Sequence, residues 1–428
     1  MHDALNKEIS RLSTAAQDLF DAIAEVSRDG PGITRPAYCE QETKAGELIK
    51  RFAESEGLEC GIDGGGNFQY DLPGKDPHGM TVMASHLDSV PLGGNYDGLA
   101  GVVAGTLVQA ACKRAGVIPP RRLRTLGLRG EESPWFGTAY LGSKLALGQL
   151  TDKDLNELTH ISTKRSLAAH LQALGVPADA ASIHGKRLRH EDVHSYLELH
   201  IEQGPVLEDL GIPIGLATAI RGNIRHPFAK CHGVYGHSST SPRHLRSDAV
   251  IATSQLVCAA DELWKSILDE GNNDDLIINF GIFSTDPAQH AMTKVPGDVR
   301  FSFNIAGTNN DVARDLYRRI LAEADRIQKE FRVRFDFGPK VGTEAIHLDP
   351  ALLDTADAAA GALGLKTLRM PTVGHDAAMF ARLGVPTGMI LVRNQNGSHN
   401  VDEAMRIEDF IDATKVLALC ALSATPRH

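Results

Sequence analysis

Several features that would assign a function at once are missing from this sequence. Its six cysteines, Cys39, Cys60, Cys112, Cys231, Cys258 and Cys420, are isolated, with no Cys-x-x-Cys pair among them. That excludes a thiolate metal knuckle and speaks for a reduced chain rather than a disulfide scaffold. No apolar run reaches the ~18–20 residues needed to span a bilayer. The stretch from Met1 to Ser10 is charged and lacks the apolar core of an export signal. Positive charge is in deficit as well: 44 Lys and Arg against 54 Asp and Glu leave a formal net charge of −10. A nucleic-acid binder would carry a basic face instead. Internal repeats and low-complexity segments are also lacking. The expectation is a soluble, cytoplasmic protein with a small-molecule substrate, no nucleic-acid partner and no membrane association.

What is present is an ordinary globular composition over 428 residues, 42% hydrophobic and 23% charged. A chain of that length exceeds one ordinary core, so two domains are expected. Residues 3–28 and 40–57 have helical apolar spacing, with Ala45, Leu48, Ile49, Phe52 and Ala53 on one face of the second. Residues 79–85, 122–128, 195–201 and 388–392 read as strands, and a buried helix is expected from Ala100 to Ala115. Strands alternating with helices at both ends of the chain favour an α/β sheet. The middle differs. Strand-like stretches at 215–220, 228–234, 276–283 and 299–305, joined by amphipathic helices over 246–269 and 309–330, form an α+β pattern. The layout expected is discontinuous, with one domain over 1–212 and 331–428 and an inserted one over 213–330.

The chemistry-bearing residues share a position. His86, the Glu131-Glu132 pair, His200 and His399 each fall at or just beyond the C-terminal end of an expected strand, the edge where sites assemble in open α/β sheets. Imidazole and carboxylate donors without thiolates suit zinc, manganese, cobalt or nickel. One carboxylate can bridge two such ions ~3.5–4 Å apart, as hydrolytic two-metal sites require. His86-Leu-Asp88 alone is an ordinary turn. Followed by Ser89-Val-Pro-Leu-Gly-Gly-Asn-Tyr-Asp97-Gly, it becomes a metal-binding pattern, because the glycines let a tight loop return Asp97 to His86. Asp88 could bond the second ring nitrogen of His86. Glu131-Glu132 reads either as a solvated loop or, beside a metal, as one ligand and one proton shuttle. His200 has a core histidine as its plain alternative, and His399 a loop histidine. The remaining histidines, apart from His237 and His375, read as surface or structural.

Three stretches together resemble a known family. Ser85-His-Leu-Asp-Ser-Val-Pro-Leu-Gly-Gly-Asn-Tyr-Asp-Gly98, Glu198-Leu-His-Ile-Glu-Gln-Gly-Pro-Val-Leu-Glu208 and Gly374-His-Asp-Ala377 resemble the hydantoinase/carbamoylase-type amidases of the M20 metallopeptidase superfamily. That family includes N-carbamoyl-L-amino acid hydrolases, allantoate amidohydrolases, ureidoglycolate hydrolases and β-ureidopropionases. The resemblance runs from about Gly32 to Glu403. It implies a mixed-sheet α/β catalytic domain holding two divalent metal ions, with an inserted α+β lid and dimerisation domain, in a homodimer. His86, Asp97 and His200 would hold one ion, and Asp97, Glu132 and His399 the other, with Asp97 bridging and Glu131 as general base. Gly236-His-Ser-Ser-Thr-Ser-Pro242 matches the lid motif, which makes His237 the donor to the developing oxyanion. Arg225, Asn223, Gln203, Gly374 and His375 would contact substrate.

The same comparison shows departures. Carbamoyl amino acid hydrolases usually carry Asn-Val-Val-Pro-Gly and, further on, Asp-Ile-Arg, whose Asn and Arg clasp the substrate's α-carboxylate. Here Thr293-Lys-Val-Pro-Gly297 and Asn304-Ile-Ala306 stand in their place. Glu131-Glu-Ser-Pro-Trp-Phe136 replaces Glu-Glu-Gly-Ser-Arg-Phe, which reads as a second cation lost near the site. Losing a bidentate Arg–carboxylate contact is not neutral for an anionic substrate, unless Lys294 or Arg225 compensates. The expected reaction is metal-dependent hydrolysis of a linear amide, ureido or related C–N bond, on something other than an ordinary N-carbamoyl-α-amino acid. Two other readings fit the same residues: an aminopeptidase, dipeptidase or aryl-amine aminohydrolase, and a metal-binding homologue without catalysis.

Overall fold

Four apolar segments that end in the chemistry-bearing residues form adjacent parallel strands. Asp76–His86 lies between Arg121–Leu128 and Val193–Ile201, parallel to both, and Thr387–Val392 runs parallel beside Val193–Ile201. Their C-terminal halves are buried throughout. Strands covered on both faces read as continuous apolar runs rather than as alternation. Because the four are parallel, His86, Leu128, Ile201 and Val392 all end on one edge. Antiparallel strands complete the mixed sheet: Phe68–Leu72 and Glu59–Ile62 beyond Arg121–Leu128, and Ile214–Ile220 beside Thr387–Val392. This computed structural model describes residues 2–271 and 275–423.

The chain divides into two units, Met1–Thr218 with Leu348–His428, and Ala219–His347. In the first, the helix Leu99–Arg114 is buried at every residue from Leu99 to Cys112, as its apolar surface on all sides requires. The one long polar side chain in that buried stretch, Gln109, donates from Nε2 to the carbonyls of Tyr70 and Leu123 at 2.9 and 2.8 Å. The helices His2–Arg11, Ser13–Ser27, Glu40–Ser55 and Ile407–Ala421 contribute to the same core. A smaller apolar cluster gathers Ala37, Tyr38, Trp135, Phe136, Leu141 and Leu171. All six cysteines are free.

The second unit is an antiparallel sheet in the order Ile277–Thr285, Asp298–Gly307, Gly222–His232, Arg334–Asp336, with Val341–Thr343 also on Gly222–His232. Val299, Phe301, Phe303 and Ile305 alternate into a core closed by the helices Ala249–Asp269 and Asn310–Phe331. Each helix begins at a side-chain cap, Asp248 or Asn309. Both unit boundaries differ from the sequence expectation. Ile214–Ile220 pairs mainly with Thr387–Val392 of the first unit, although an isolated apolar run says nothing of its partner. The strands Arg334–Asp336 and Val341–Thr343 carry the insertion past residue 330. They are too short and too exposed to show a period.

One buried ion pair ties the N-terminal segment to the end of a central strand. Arg129 and Glu42 are 1% and 0% exposed, with Arg129 Nη1 2.6 Å from Glu42 Oε2. Glu42 Oε1 accepts the Gly130 N–H at 3.0 Å, and Arg129 Nε donates to the Gly66 carbonyl at 2.7 Å. Removing one partner strands a charge in the core, which costs about 3–5 kcal/mol. Glu42→Ala is therefore expected to lower the unfolding free energy by that amount, read as a lower urea midpoint at an unchanged m-value. A loss below about 1 kcal/mol would show that the pair is not holding this segment.

Candidate metal centre

The parallel edge gathers the five expected ligands by short extensions of its strands. His86 ends its strand and His200 lies one residue before the end of Val193–Ile201. Glu131 and Glu132 follow Arg121–Leu128, while His399 follows Thr387–Val392 through a turn in which it adopts φ +59°. Asp97 sits on the loop before the buried helix and occupies the centre. Its Oδ1 lies 3.4 Å from His86 Nε2 and 3.2 Å from His200 Nε2, and its Oδ2 lies 3.4 Å from His399 Nε2. His399 Nε2 is also 3.1 Å from Glu132 Oε1. Ligand atoms of His86, Asp97 and His200 lie within 4.8 Å of one another, as do those of Asp97, Glu132 and His399. Asp97 belongs to both groups.

The tautomers suit a cation. His86 Nδ1 donates to the Asp88 carbonyl at 3.0 Å and His200 Nδ1 to the Ile201 carbonyl at 2.9 Å. With both protons committed outward, each ring turns its Nε2 lone pair inward beside Asp97, where that of His200 also accepts the Gly98 N–H at 3.1 Å. Asp97 Oδ1 is buried and satisfies no hydrogen-bond geometry, so a buried anionic oxygen is left facing two imidazole lone pairs. Gly98, at φ +68°, starts the helix here. A Cβ on it would stand 2.4 Å from the His86 ring.

Charge states show the same imbalance. Burial would lower His86, yet the Asp88 and Asp97 carboxylates raise it well above the imidazole range. His399 is pushed up to about 10 by its hydrogen bonds to Asp97 and Glu132. Burial would raise Asp97, but the facing rings of His200, His399 and His86 hold it well below the carboxylate range. Burial pushes Glu131 well above that range, with Glu132 and Asp376 adding to the effect. The pocket thus holds more carboxylate than its fixed charges neutralise, and the inward ring nitrogens are where either a proton or a divalent cation would restore the balance.

Asp88 departs from expectation. Its carboxylate is 3.5 Å from His86 Nδ1, and the ring's close partner is Asp88's own carbonyl. The carboxylate oxygens are taken by the backbone N–H groups of Glu131 and Glu132 at 3.0 and 3.1 Å. Asp88 therefore joins the His86 strand to the two glutamates. Trp135 also corrects a reading. It is 3% exposed, donates Nε1–H to the Ser89 carbonyl at 2.8 Å and stacks on His160 at 5.5 Å. It is an anchor under the glutamate loop rather than an apolar substitute in a substrate pocket.

Other expected residues fall as follows. Gln203, at φ +67°, donates Nε2–H to Asp97 Oδ2 at 2.8 Å. His375 is buried, shares a hydrogen bond with Thr372 and packs its ring 4.3 Å from that of His200. Gly374 lies against the Tyr140 phenol, whose oxygen occupies the place of a Cβ. Asn223, Arg225 and His237 belong to the second unit. Asn223 Nδ2 donates to Thr343 Oγ1 at 3.2 Å, and Arg225 Nε to Asn304 Oδ1 at 3.2 Å. His237, exposed, pairs across a two-residue ladder with Lys294. Sequence reasoning missed Glu403, whose Oε1 accepts the N–H groups of Tyr96 and Asp97 at 2.8 and 3.2 Å, and Ser398, which donates to Asp97 Oδ2. Their nearness in sequence to His399 was the only signal.

Residues 82–423 match the model of peptidase family M20/M25/M40. Allantoate amidohydrolase of Escherichia coli is 29% identical, over 91% of this chain and 92% of its own. N-carbamoyl-L-amino-acid amidohydrolase of Paenarthrobacter aurescens is 27% identical, over 94% and 96%. Ureidoglycolate hydrolase of Oryza sativa subsp. japonica is 28% identical, over 95% and 84%. Among solved structures, a hydantoinase/carbamoylase family amidase from Burkholderia ambifaria superposes with a TM-score of 0.80 at 25% identity, over 96% of this chain and 97% of that one. One from Burkholderia multivorans shares the fold with a TM-score of 0.86 over the same shares of the two chains. The chain belongs to peptidase family M20/M25/M40, and hydantoinase/carbamoylase-type amidases are its structural neighbours.

Proposed function

We propose that this protein is a metal-dependent amidohydrolase that cleaves a C–N bond other than a peptide bond in a linear amide, ureido or related substrate. The observation that carries this reading is Asp97, buried and shared between two groups of ligand atoms, with Glu131 beside them. The relatives' names, ureidoglycolate hydrolase, allantoate amidohydrolase and N-carbamoyl-L-amino-acid amidohydrolase, support the bond type. His86, Asp97 and His200 would hold one ion, and Asp97, Glu132 and His399 the second, with zinc, manganese, cobalt and nickel all compatible with these donors. Bound there, the ions supply Lewis acidity toward the scissile carbonyl and the attacking water.

The chain's own groups do the rest. Glu131 takes a proton from the water and returns it to the leaving nitrogen. His237 accepts the Ser239 backbone N–H at Nδ1, 3.1 Å away, so its neutral ring carries a proton on Nε2. That tautomer is the one needed to donate to a developing oxyanion. Gln203, Gly374, His375, Asn223 and Arg225 are the residues assigned to substrate contact, and the second unit is assigned the role of lid and dimerisation unit of a cytoplasmic homodimer. The substrate is less anionic than an N-carbamoyl-α-amino acid. Thr293 and Ala306 lack the clamp, Lys294 Nζ donates to the Gln289 carbonyl at 3.0 Å, and Arg225 is held through Nε by Asn304 in place of the lost bidentate partner.

Four outcomes are expected. Glu131→Gln should retain its metal by elemental analysis while turnover falls about 10²–10⁴-fold; full activity in that variant would remove Glu131 from the proton transfer. Gly98→Ala should lose metal, because its Cβ displaces the His86 ring, whereas a variant with normal metal content would show that the loop yields instead. In an ammonia-release panel, neutral ureido compounds should exceed N-carbamoyl-L-alanine and allantoate. The double substitution Thr293→Asn with Ala306→Arg should raise turnover of N-carbamoyl-L-alanine. Efficient wild-type turnover of either anionic compound would overturn the substrate assignment.

A further inference from the structure

Cys39, His160 and His170 bring a sulfur and two ring nitrogens within 4.8 Å of one another, and none of them takes part in the centre around Asp97. A metal ion is the first thought for such a group, but the tautomer of His160 opposes it. His160 Nδ1 accepts the backbone N–H groups of Ser162 and Thr163 at 3.1 and 3.3 Å. The neutral ring therefore keeps its proton on Nε2 and donates it to Cys39 Sγ at 3.6 Å. The lone pair that His86 and His200 offer to Asp97 is missing here. His170 Nδ1 donates to the Tyr38 carbonyl at 3.0 Å, and its Nε2 is satisfied by the Thr163 hydroxyl at 2.8 Å. The cluster is a closed, neutral network.

That network backs one wall of a cavity of about 520 Å³, to which Cys39 and His170 contribute. The volume lies within the range of small-molecule sites, ~300–1,000 Å³. Ala173 and Leu174 supply apolar wall, Glu40, Lys44, Glu47 and Arg51 line the rest from one face of the helix Glu40–Ser55, and Arg165 adds a third cation. Three cations and two carboxylates leave one net positive charge. Lys44 is spent on Glu40 at 2.7 Å. Arg51 and Arg165 have no carboxylate partner among the described residues. Arg165 donates to the Ala169 carbonyl at 2.6 Å, and its charge is felt at both Cys39 and His170, so it borders the cavity's neutral wall.

We propose that this cavity binds a small organic monocarboxylate with an apolar body, its carboxylate on Arg165 and Arg51 and its body against Ala173 and Leu174. A single net charge matches a monoanion, and the carboxylates of Glu40 and Glu47 repel a phosphate ester or other polyanion. Two wall residues also bond to the buried pair beneath the glutamate loop. Thr43 Oγ1 accepts from Arg129 at 3.1 Å, and the Tyr38 N–H donates to Glu42 at 2.7 Å. An occupant would thus touch residues that support Glu131 and Glu132, without needing the metal centre.

Cys39 reports occupancy directly. In the metal-loaded, full-length protein, iodoacetamide labelling is followed peptide by peptide with benzoate as the probe, benzamide as its neutral isostere and inorganic phosphate as the polyanion. Benzoate at about ten times its dissociation constant should slow Cys39 alkylation about tenfold, as expected when only the empty site reacts. The exposed Cys258 should react at an unchanged rate. Arg165→Gln should abolish the protection while leaving turnover within twofold of wild type. Equal protection by benzamide or phosphate, protection that survives Arg165→Gln, or no protection would each overturn the proposal. Calorimetric titration of wild type and Arg165→Gln with benzoate gives a second reading. Binding heats that are absent, or identical in the two proteins, would overturn it as well.

Discussion

A carboxylate buried among imidazoles is the constraint around which this protein is arranged. Taking an ionised group out of water costs several kcal/mol unless partners surround it, and Asp97 meets that cost with three histidines from three separate segments. Its position cannot drift, because Glu403 holds its backbone N–H and Gly98 lets the next helix begin directly against the His86 ring. The parallel sheet supplies the remaining ligands only because its strand ends share one edge.

The two glutamates show how such an edge becomes precise enough for chemistry. Strand Arg121–Leu128 ends, and the next four residues are gripped from three directions. Asp88 takes the N–H groups of Glu131 and Glu132, Glu42 takes that of Gly130 and pairs with Arg129, and Trp135 hooks its indole onto Ser89. The partners come from the His86 loop and from the N-terminus of a helix nearly ninety residues upstream. Side chains that ligate or shuttle protons need this kind of outer support, since a displacement of about 1 Å is enough to spoil them. The strained φ values of Gln203 and His399 belong to the same economy, being positions where surrounding structure overrules local preference.

The second unit carries the divergence. Its sheet and capped helices are conventional, yet the positions that would clasp a carboxylate hold Thr293 and Ala306. That gap was legible in the residues alone, because it is a change of chemical type at fixed spacing in a motif. Trp135 was not legible in the same way. Next to a catalytic pair it resembled a pocket residue, and only its burial and its bond to Ser89 reveal an anchor. Asp88 is a parallel case: the spacing to His86 was apparent, whereas the choice between its carbonyl and its carboxylate depended on which backbone N–H groups stood nearby.

By itself the sequence determined the element types of the first unit, the five candidate ligands, Glu131 as candidate base, the resemblance to its family and the departures from the clamp motif. Apolar runs and short motifs are local properties, and local physics is enough to read them. Tertiary structure decided the convergence of His86, Asp97, Glu132, His200 and His399, the support from Glu42, Glu403 and Ser398, and the unit boundaries set by three-residue strands. It also decided that His86 and His200 offer lone pairs while His160 does not. Those outcomes depend on which backbone groups meet across tens to hundreds of residues, and no local pattern encodes a partner.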